Sequence, residues 1–129
     1  MPALTPRQVH EQFTQAFLAR DLEALMALYD PDATMMPGPG EEPVQGHAAI
    51  RKALEALQAL EPSNGALETV FCMEHDDLAL MRSKWHFTGT GPDGQPVELA
   101  GSGTEVMRRR PDGSWVHLID NPWGADALA

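Results

Sequence analysis

Apolar side chains recur at helical spacing as far as Leu60 and then, from Leu67 onward, at nearly every second position. Val9, Phe13, Ala16 and Phe17 share one helix face. Thr5-Pro6 precedes them, a hydroxyl N-cap followed by a proline whose missing N–H leaves nothing unpaired at the first helical position. This first helix is expected to run to about Arg20. Asp21 can cap a second helix carrying Leu22, Leu25, Met26, Leu28 and Tyr29. Asp30-Pro31-Asp32 should end it, because the residue before a proline is pushed out of the helical region. Ala33-Thr34-Met35-Met36 suits a short strand, and the Pro/Gly-rich stretch from Pro37 to Pro43 reads as an exposed loop and a pocket rim. Ile50, Leu54, Leu57 and Leu60 mark a third helix, stopped by Pro62.

Strand-like runs follow: Leu67 to Met73, Leu78 to Phe87, Val97 to Met107 and Trp115 to Ile119. Glu74-His75-Asp76-Asp77, Gly91-Pro92-Asp93-Gly94 and Pro111-Asp112-Gly113 separate them with residues that tolerate hairpin dihedrals, so the strands should be antiparallel neighbours. Between Leu78 and Phe87 the odd positions are mostly apolar and should face the helices. Between Val97 and Met107 the corresponding side carries Gly101, Gly103 and Glu105, where small residues would let the sheet curl. The last run is apolar on both parities, Trp115 and Ile119 against Val116 and Leu118, which predicts a strand covered on both faces. Helices first and an antiparallel meander after them give an α+β layer fold, with the helices on one concave sheet face.

Composition narrows the function. A chain of 129 residues with 43% apolar content is one domain with a sizeable core. Its formal charge of −10 repels phosphate backbones and anionic lipid, which argues against nucleic acid and membrane partners. Cys72 is the single cysteine, and no apolar run approaches bilayer length, so a soluble cytoplasmic protein is expected.

Phe13 to Phe17, Arg20-Asp21-Leu22-Glu23-Ala24-Leu25, Leu28-Tyr29-Asp30-Pro31-Asp32-Ala33, Gly46 with Ile50, and Gly113-Ser114-Trp115 together resemble the SnoaL-like and ketosteroid-isomerase-like proteins of the nuclear-transport-factor-2-like superfamily. The resemblance spans nearly the whole chain. It implies a cone-shaped α+β barrel, with N-terminal helices packed on a strongly curved antiparallel sheet. It also implies a ligand cavity in the cone, a homodimer through the sheet, and a pocket acid or base.

Asp120 is the main catalytic candidate. It lies between Ile119 and Asn121-Pro122-Trp123, where apolar neighbours would desolvate its carboxyl group and raise its pKa into a range useful for proton transfer. The plainer reading makes it a carboxylate accepting backbone N–H bonds in the Asn121-Pro122 turn. Glu105 is the second candidate, with a salt bridge to Arg82 or Lys84 as its plainer role. Tyr29 could donate to a ligand oxygen or simply pack, and Phe17, Met36, Trp85 and Trp123 would form an apolar lining. The expected ligand is a small, largely apolar organic molecule that undergoes isomerisation, cyclisation or a related proton transfer. Binding without turnover and a purely associative role are the alternatives.

Other patterns carry no chemistry. The glycines from Gly89 to Gly94 spell a dinucleotide-binding motif, but a strand-like run follows where a helix is required. Cys72 and His75 make half a zinc site, and Gly101-Ser102-Gly103 lacks the spacing of a nucleophile elbow. No cofactor and no metal are expected. His10, His47, His86 and His117 are scattered over different elements, with His86 or His117 able to face the cavity.

Overall fold

The computed structural model describes residues 2–124. Helix α1 (Pro6–Leu18) starts where Thr5 accepts the Gln8 N–H through its hydroxyl, and it buries Val9, His10, Phe13, Ala16 and Phe17. Helix α2 (Leu22–Met26) is capped by Asp21, whose carboxylate accepts from the Ala24 N–H at 3.1 Å. Strand β1 (Tyr29–Met35) and the short β2 (Val44–Gln45) lead into helix α3 (His47–Gln58), which buries Ile50 and Leu54. Strands β3 (Asn64–His75), β4 (Leu78–Thr90), β5 (Pro96–Arg109) and β6 (Trp115–Asn121) complete the chain. The six strands form one curved, open sheet in the order β2-β1-β6-β5-β4-β3. The expected α+β architecture is present, with the helices over the inner face of a mostly antiparallel sheet.

Four local expectations need correction. Tyr29 to Asp32 lie in β1, not in the second helix, which ends at Met26. Pro31 is exposed at an irregularity in the strand, where it needs no ladder partner. Leu60 falls beyond α3, which stops at Gln58. The last strand does not have only antiparallel neighbours, because β6 lies between β5 and β1 and runs parallel to β1. Nor is it covered along both faces, since Ile119 is 46% exposed.

The reason for the last difference is a bulge. Met107 pairs with His117 but Val106 pairs with Ile119, so Leu118 is an extra residue in β6. Strand parity therefore changes at Leu118. In a regular strand two residues three apart, such as His117 and Asp120, would point to opposite faces. With the bulge both share the inner face, opposite Met107 and Glu105.

The inner face of β4 follows the predicted alternation, with Ala79, Met81, Ser83, Trp85 and Phe87 all buried. Against them, β5 supplies Gly103 opposite Ser83 and Gly101 opposite Trp85. A Cβ at Gly101 would stand 2.6 Å from the Trp85 indole. Glycine is needed there for space. Gly101→Ala should cost about 1–3 kcal/mol through overpacking, whereas Ala100→Ser on the exposed face should stay within about 0.5 kcal/mol. Urea unfolding checks both: the Gly101 variant should show a lower midpoint at unchanged slope.

Candidate functional site

Register brings the polar side chains together. Asp120 stands opposite Glu105 on one side and Met35 on the other, and His117 stands opposite Met107 and Tyr29. Helix α1 lays His10 over the same inner face. Glu105 is 1% exposed and Asp120 6%. The Tyr29 hydroxyl donates to Asp120 Oδ2 at 2.6 Å. The Ser83 hydroxyl donates to Glu105 Oε2 at 2.5 Å, and His10 Nε2 donates to Glu105 Oε1 at 3.1 Å. His10 Nδ1 lies 2.6 Å from Thr69 Oγ1. The His117 ring stacks on Tyr29 at 4.6 Å, and its Nδ1 donates to the Leu28 carbonyl at 3.2 Å. Because a carbonyl can only accept, Nδ1 carries the proton and Nε2 of the neutral ring is an acceptor.

Burial dominates the electrostatics. It raises the pKa of Asp120, an effect that the Glu105 carboxylate reinforces and that His117, the Tyr29 hydrogen bond and His10 oppose. Burial likewise lowers the pKa of His117, against the pull of Asp120 and Glu105. The Tyr29 hydroxyl is pushed well above its ordinary value, first by burial and then by Asp120, so it remains a donor. The cluster therefore holds a carboxyl group with raised proton affinity beside a neutral imidazole. Acid–base chemistry uses such pairs.

A narrow cavity opens onto these groups. Phe13, Phe17, Trp85, Phe87 and Trp123 supply its aromatic wall, with Met35, Leu57, Leu67, Leu99 and Pro122 between them. Glu105, His117 and Asp120 are its polar lining. About 40 Å³ is open to the centre of a water molecule, several times the ~10–15 Å³ that one water needs. Partly exposed Leu57, Leu67, Leu99, Pro122 and Trp123 mark the mouth. The Trp85 indole N–H donates to the Pro122 carbonyl at 2.7 Å and packs edge-on against Trp123. A wider hollow of about 780 Å³ runs past Gln12, Asp21, Arg110 and Asp112, but it is an open surface depression reached by none of Glu105, His117 and Asp120. The smaller cavity is the one that Glu105, His117 and Asp120 line.

Known proteins share this architecture. The sequence profile of the SnoaL-like domain matches residues 10–118. The chain belongs to the SnoaL-like family. No curated protein matches it. Among solved structures, this SnoaL-like chain is similar to a conserved protein from Planctomyces limnophilus, with 23% identity over 89% of each chain and a TM-score of 0.77. It is also similar to a ketosteroid isomerase-like protein from Erwinia carotovora, with 22% identity over 88% of each chain and a TM-score of 0.76. A Thiobacillus denitrificans protein named for the association domain of calcium/calmodulin-dependent protein kinase type II has 22% identity over 95% of this chain and 98% of its own, with a TM-score of 0.74. At these identities the likenesses establish the fold of this SnoaL-like domain and leave its chemistry to its own residues.

The residues singled out from the sequence are only partly gathered here. Asp120, Glu105, Phe17, Trp85 and Trp123 line the cavity. Tyr29 stands behind Asp120 and reaches it by hydrogen bond. Met36 is not in the lining; its neighbour Met35 is, because β1 turns Met35 inward opposite Asp120. Two plainer readings are corrected. Glu105 bonds Ser83 and His10, since Arg82 and Lys84 lie on the exposed parity of β4. The Asp120 carboxylate is held by Tyr29 and not by N–H groups of the following turn. His86 is likewise exposed on β4, while Cys72 is half-buried and His75 is exposed.

His10 and Ser83 escaped the sequence reading, although signals existed. His10 precedes Phe13 by three positions and Phe17 by seven, on the buried face of α1. Ser83 is the one polar residue in the inward series from Ala79 to Phe87.

The two shifts give opposite pH effects. Asp120 binds its proton more tightly in the folded state, so its contribution is full below 3.8, the free carboxylate value, and is lost as pH rises through its raised value. His117 contributes above 6.5, the free imidazole value, and loses that contribution as pH falls through its lowered value. Asp120→Asn should therefore gain stability relative to wild type as pH rises from about 4, and the gain should level off once native Asp120 is ionised. Urea unfolding at a series of pH values measures the difference. A constant difference would show that Asp120 titrates normally.

Proposed function

We propose that this SnoaL-like domain binds a small, largely apolar organic molecule in the cavity above Asp120 and moves a proton on it, with Asp120 as the acid/base. The observation that carries this reading is the carboxyl group of Asp120, 6% exposed and tethered by Tyr29 at 2.6 Å, opening into a wall of aromatic and aliphatic side chains. A group of raised proton affinity at that place can give and retrieve a proton at higher pH than a free carboxyl group can. His117 Nε2 is a second proton acceptor in reach of the same cavity. Glu105 supports both by its charge, and Phe17, Trp85 and Trp123 position the apolar body of the ligand. Isomerisation and cyclisation are reactions of this class, and no step in them requires a cofactor.

The test has a binding part and a turnover part. Small aromatic ketones, alcohols and amines should raise the melting temperature of the protein. Ketones that bind should exchange the hydrogens beside their carbonyl with D2O, followed by NMR, about 10²–10⁴ faster on wild type than on Asp120→Asn. Binding without Asp120-dependent exchange would leave a ligand-binding module.

The outer sheet face supports the association of two copies. Met73, Leu80, Val106 and Ile119 lie in one row across β3, β4, β5 and β6, and Met73, Leu80 and Ile119 are 56%, 44% and 46% exposed. An aligned apolar row of this kind is the surface that a self-complementary sheet interface buries. Sedimentation equilibrium should give twice the chain mass of 14.1 kDa. Leu80→Glu with Ile119→Glu should return the protein to the single mass. A wild-type monomer at tens of micromolar would remove this reading.

A further inference from the structure

With Asp120 ionised, the floor of the cavity offers hydrogen-bond acceptors and, among the described residues, no free donor. Among the described residues, the Tyr29 hydroxyl is spent on Asp120, the Ser83 hydroxyl and His10 Nε2 on Glu105, and the His117 Nδ1–H on Leu28. Two acceptors remain unpartnered there, Asp120 Oδ1 and His117 Nε2. Their residues are 6% and 2% exposed. Among the described residues no fully buried side-chain nitrogen or oxygen lacks a partner, so these two atoms keep some exposure, and the space that both residues line is the cavity.

Charge points the same way. Among the described residues, no Lys or Arg lines the cavity, whereas two carboxyl groups do. They stand opposite each other across β5 and β6. The chain as a whole carries −10, so its field draws cations to the cavity and repels carboxylates and phosphates. Above the floor, Phe17 packs edge-on against Phe87 at 4.7 Å and Trp85 against Trp123 at 5.6 Å. Ring faces attract a desolvated cation within about 6 Å.

We infer that the ligand of this site is a compact aromatic or aliphatic amine, bound as its ammonium ion, with N–H groups donating to Asp120 Oδ1 and His117 Nε2 and its apolar body against Phe17, Trp85 and Trp123. This names the ligand class and rests on the cavity being the binding site. The same acceptors would reject an isosteric carboxylate and would give a neutral alcohol only one hydrogen bond. The ammonium ion supplies the counter-charge that a buried Asp120 lacks, so binding is linked to loss of the Asp120 proton. Tyr29 from β1, His117 from β6, Glu105 from β5 and His10 from α1 are the titratable groups facing that carboxyl, and none of them is a fixed cation.

Benzylammonium, benzyl alcohol and benzoate differ only in the group presented to the floor. Thermal shift and tryptophan fluorescence on the whole protein should rank them in that order, with benzylammonium at least about tenfold tighter than the alcohol. Asp120→Asn should weaken the amine by about tenfold or more and leave the alcohol within about twofold. Wild-type affinity for the amine, and not for the alcohol, should rise with pH from the ordinary carboxylate range upward as Asp120 gives up its proton. This last measurement needs no variant and stands if Asp120→Asn fails to fold. Equal or tighter binding of the alcohol or benzoate overturns the amine assignment and leaves the cavity reading intact. No binding by any of the three at millimolar concentration overturns both.

Discussion

Two carboxyl groups facing each other in a dry interior repel one another and lose their hydration, and the surrounding structure is arranged to tolerate this pair. Glu105 is satisfied at both oxygens, by Ser83 from the neighbouring strand and His10 from the overlying helix. Asp120 has one oxygen held by Tyr29, and its residue lines the cavity. Removing a single donor would leave a buried acceptor unpaired, which typically costs about 1–3 kcal/mol. Gly103 belongs to the same arrangement, because a Cβ there would collide with the Glu105 carboxylate and the Ser83 hydroxyl. The polar cluster and the glycines of β5 are one constraint seen from two sides.

That constraint also explains the place of β6 in the sheet. A strand carrying His117 and Asp120 inward needs neighbours on both edges that reach them. β5 supplies Glu105 and β1 supplies Tyr29 and Met35. Burying the strand between two partners pairs its backbone groups and keeps water from the carboxyl group. The bulge at Leu118 turns His117 and Asp120 to the same side, and it sets Ile119 outward into the apolar row shared with Val106, Leu80 and Met73. One inserted residue thus shapes both the inner cavity and the outer face.

Much of the architecture was legible in the chain because it depends on local periodicity. The apolar face of α1, the Asp21 cap and the inward odd positions of β4 follow from spacing alone, and the structure reproduces them. Phe17, Trp85, Trp123, Asp120 and Glu105 were readable as cavity residues from their type and neighbours. The misreadings cluster where one position alters parity or where pairing overrides propensity. Tyr29 to Asp32 look like the end of a helix, yet Tyr29 pairs with His117 of β6 and the segment continues into Thr34 and Met35, which pair with β6 and β2. Met36 was expected in the lining and Met35 stands there instead, because four residues are too few to show which side of the strand faces inward.

The sequence by itself determined the class of fold, the family, and the candidate standing of Phe17, Trp85, Trp123, Asp120 and Glu105, because these depend on residue type and short-range spacing. Only the tertiary structure decided which polar groups meet. His10 and Glu105 are brought together across the long separation between α1 and β5, as are Tyr29 and Asp120 across the separation between β1 and β6. Contacts of that kind follow from strand order and register. The register of β6 turns on a bulge at Leu118, a residue whose own chemistry gives no sign of it.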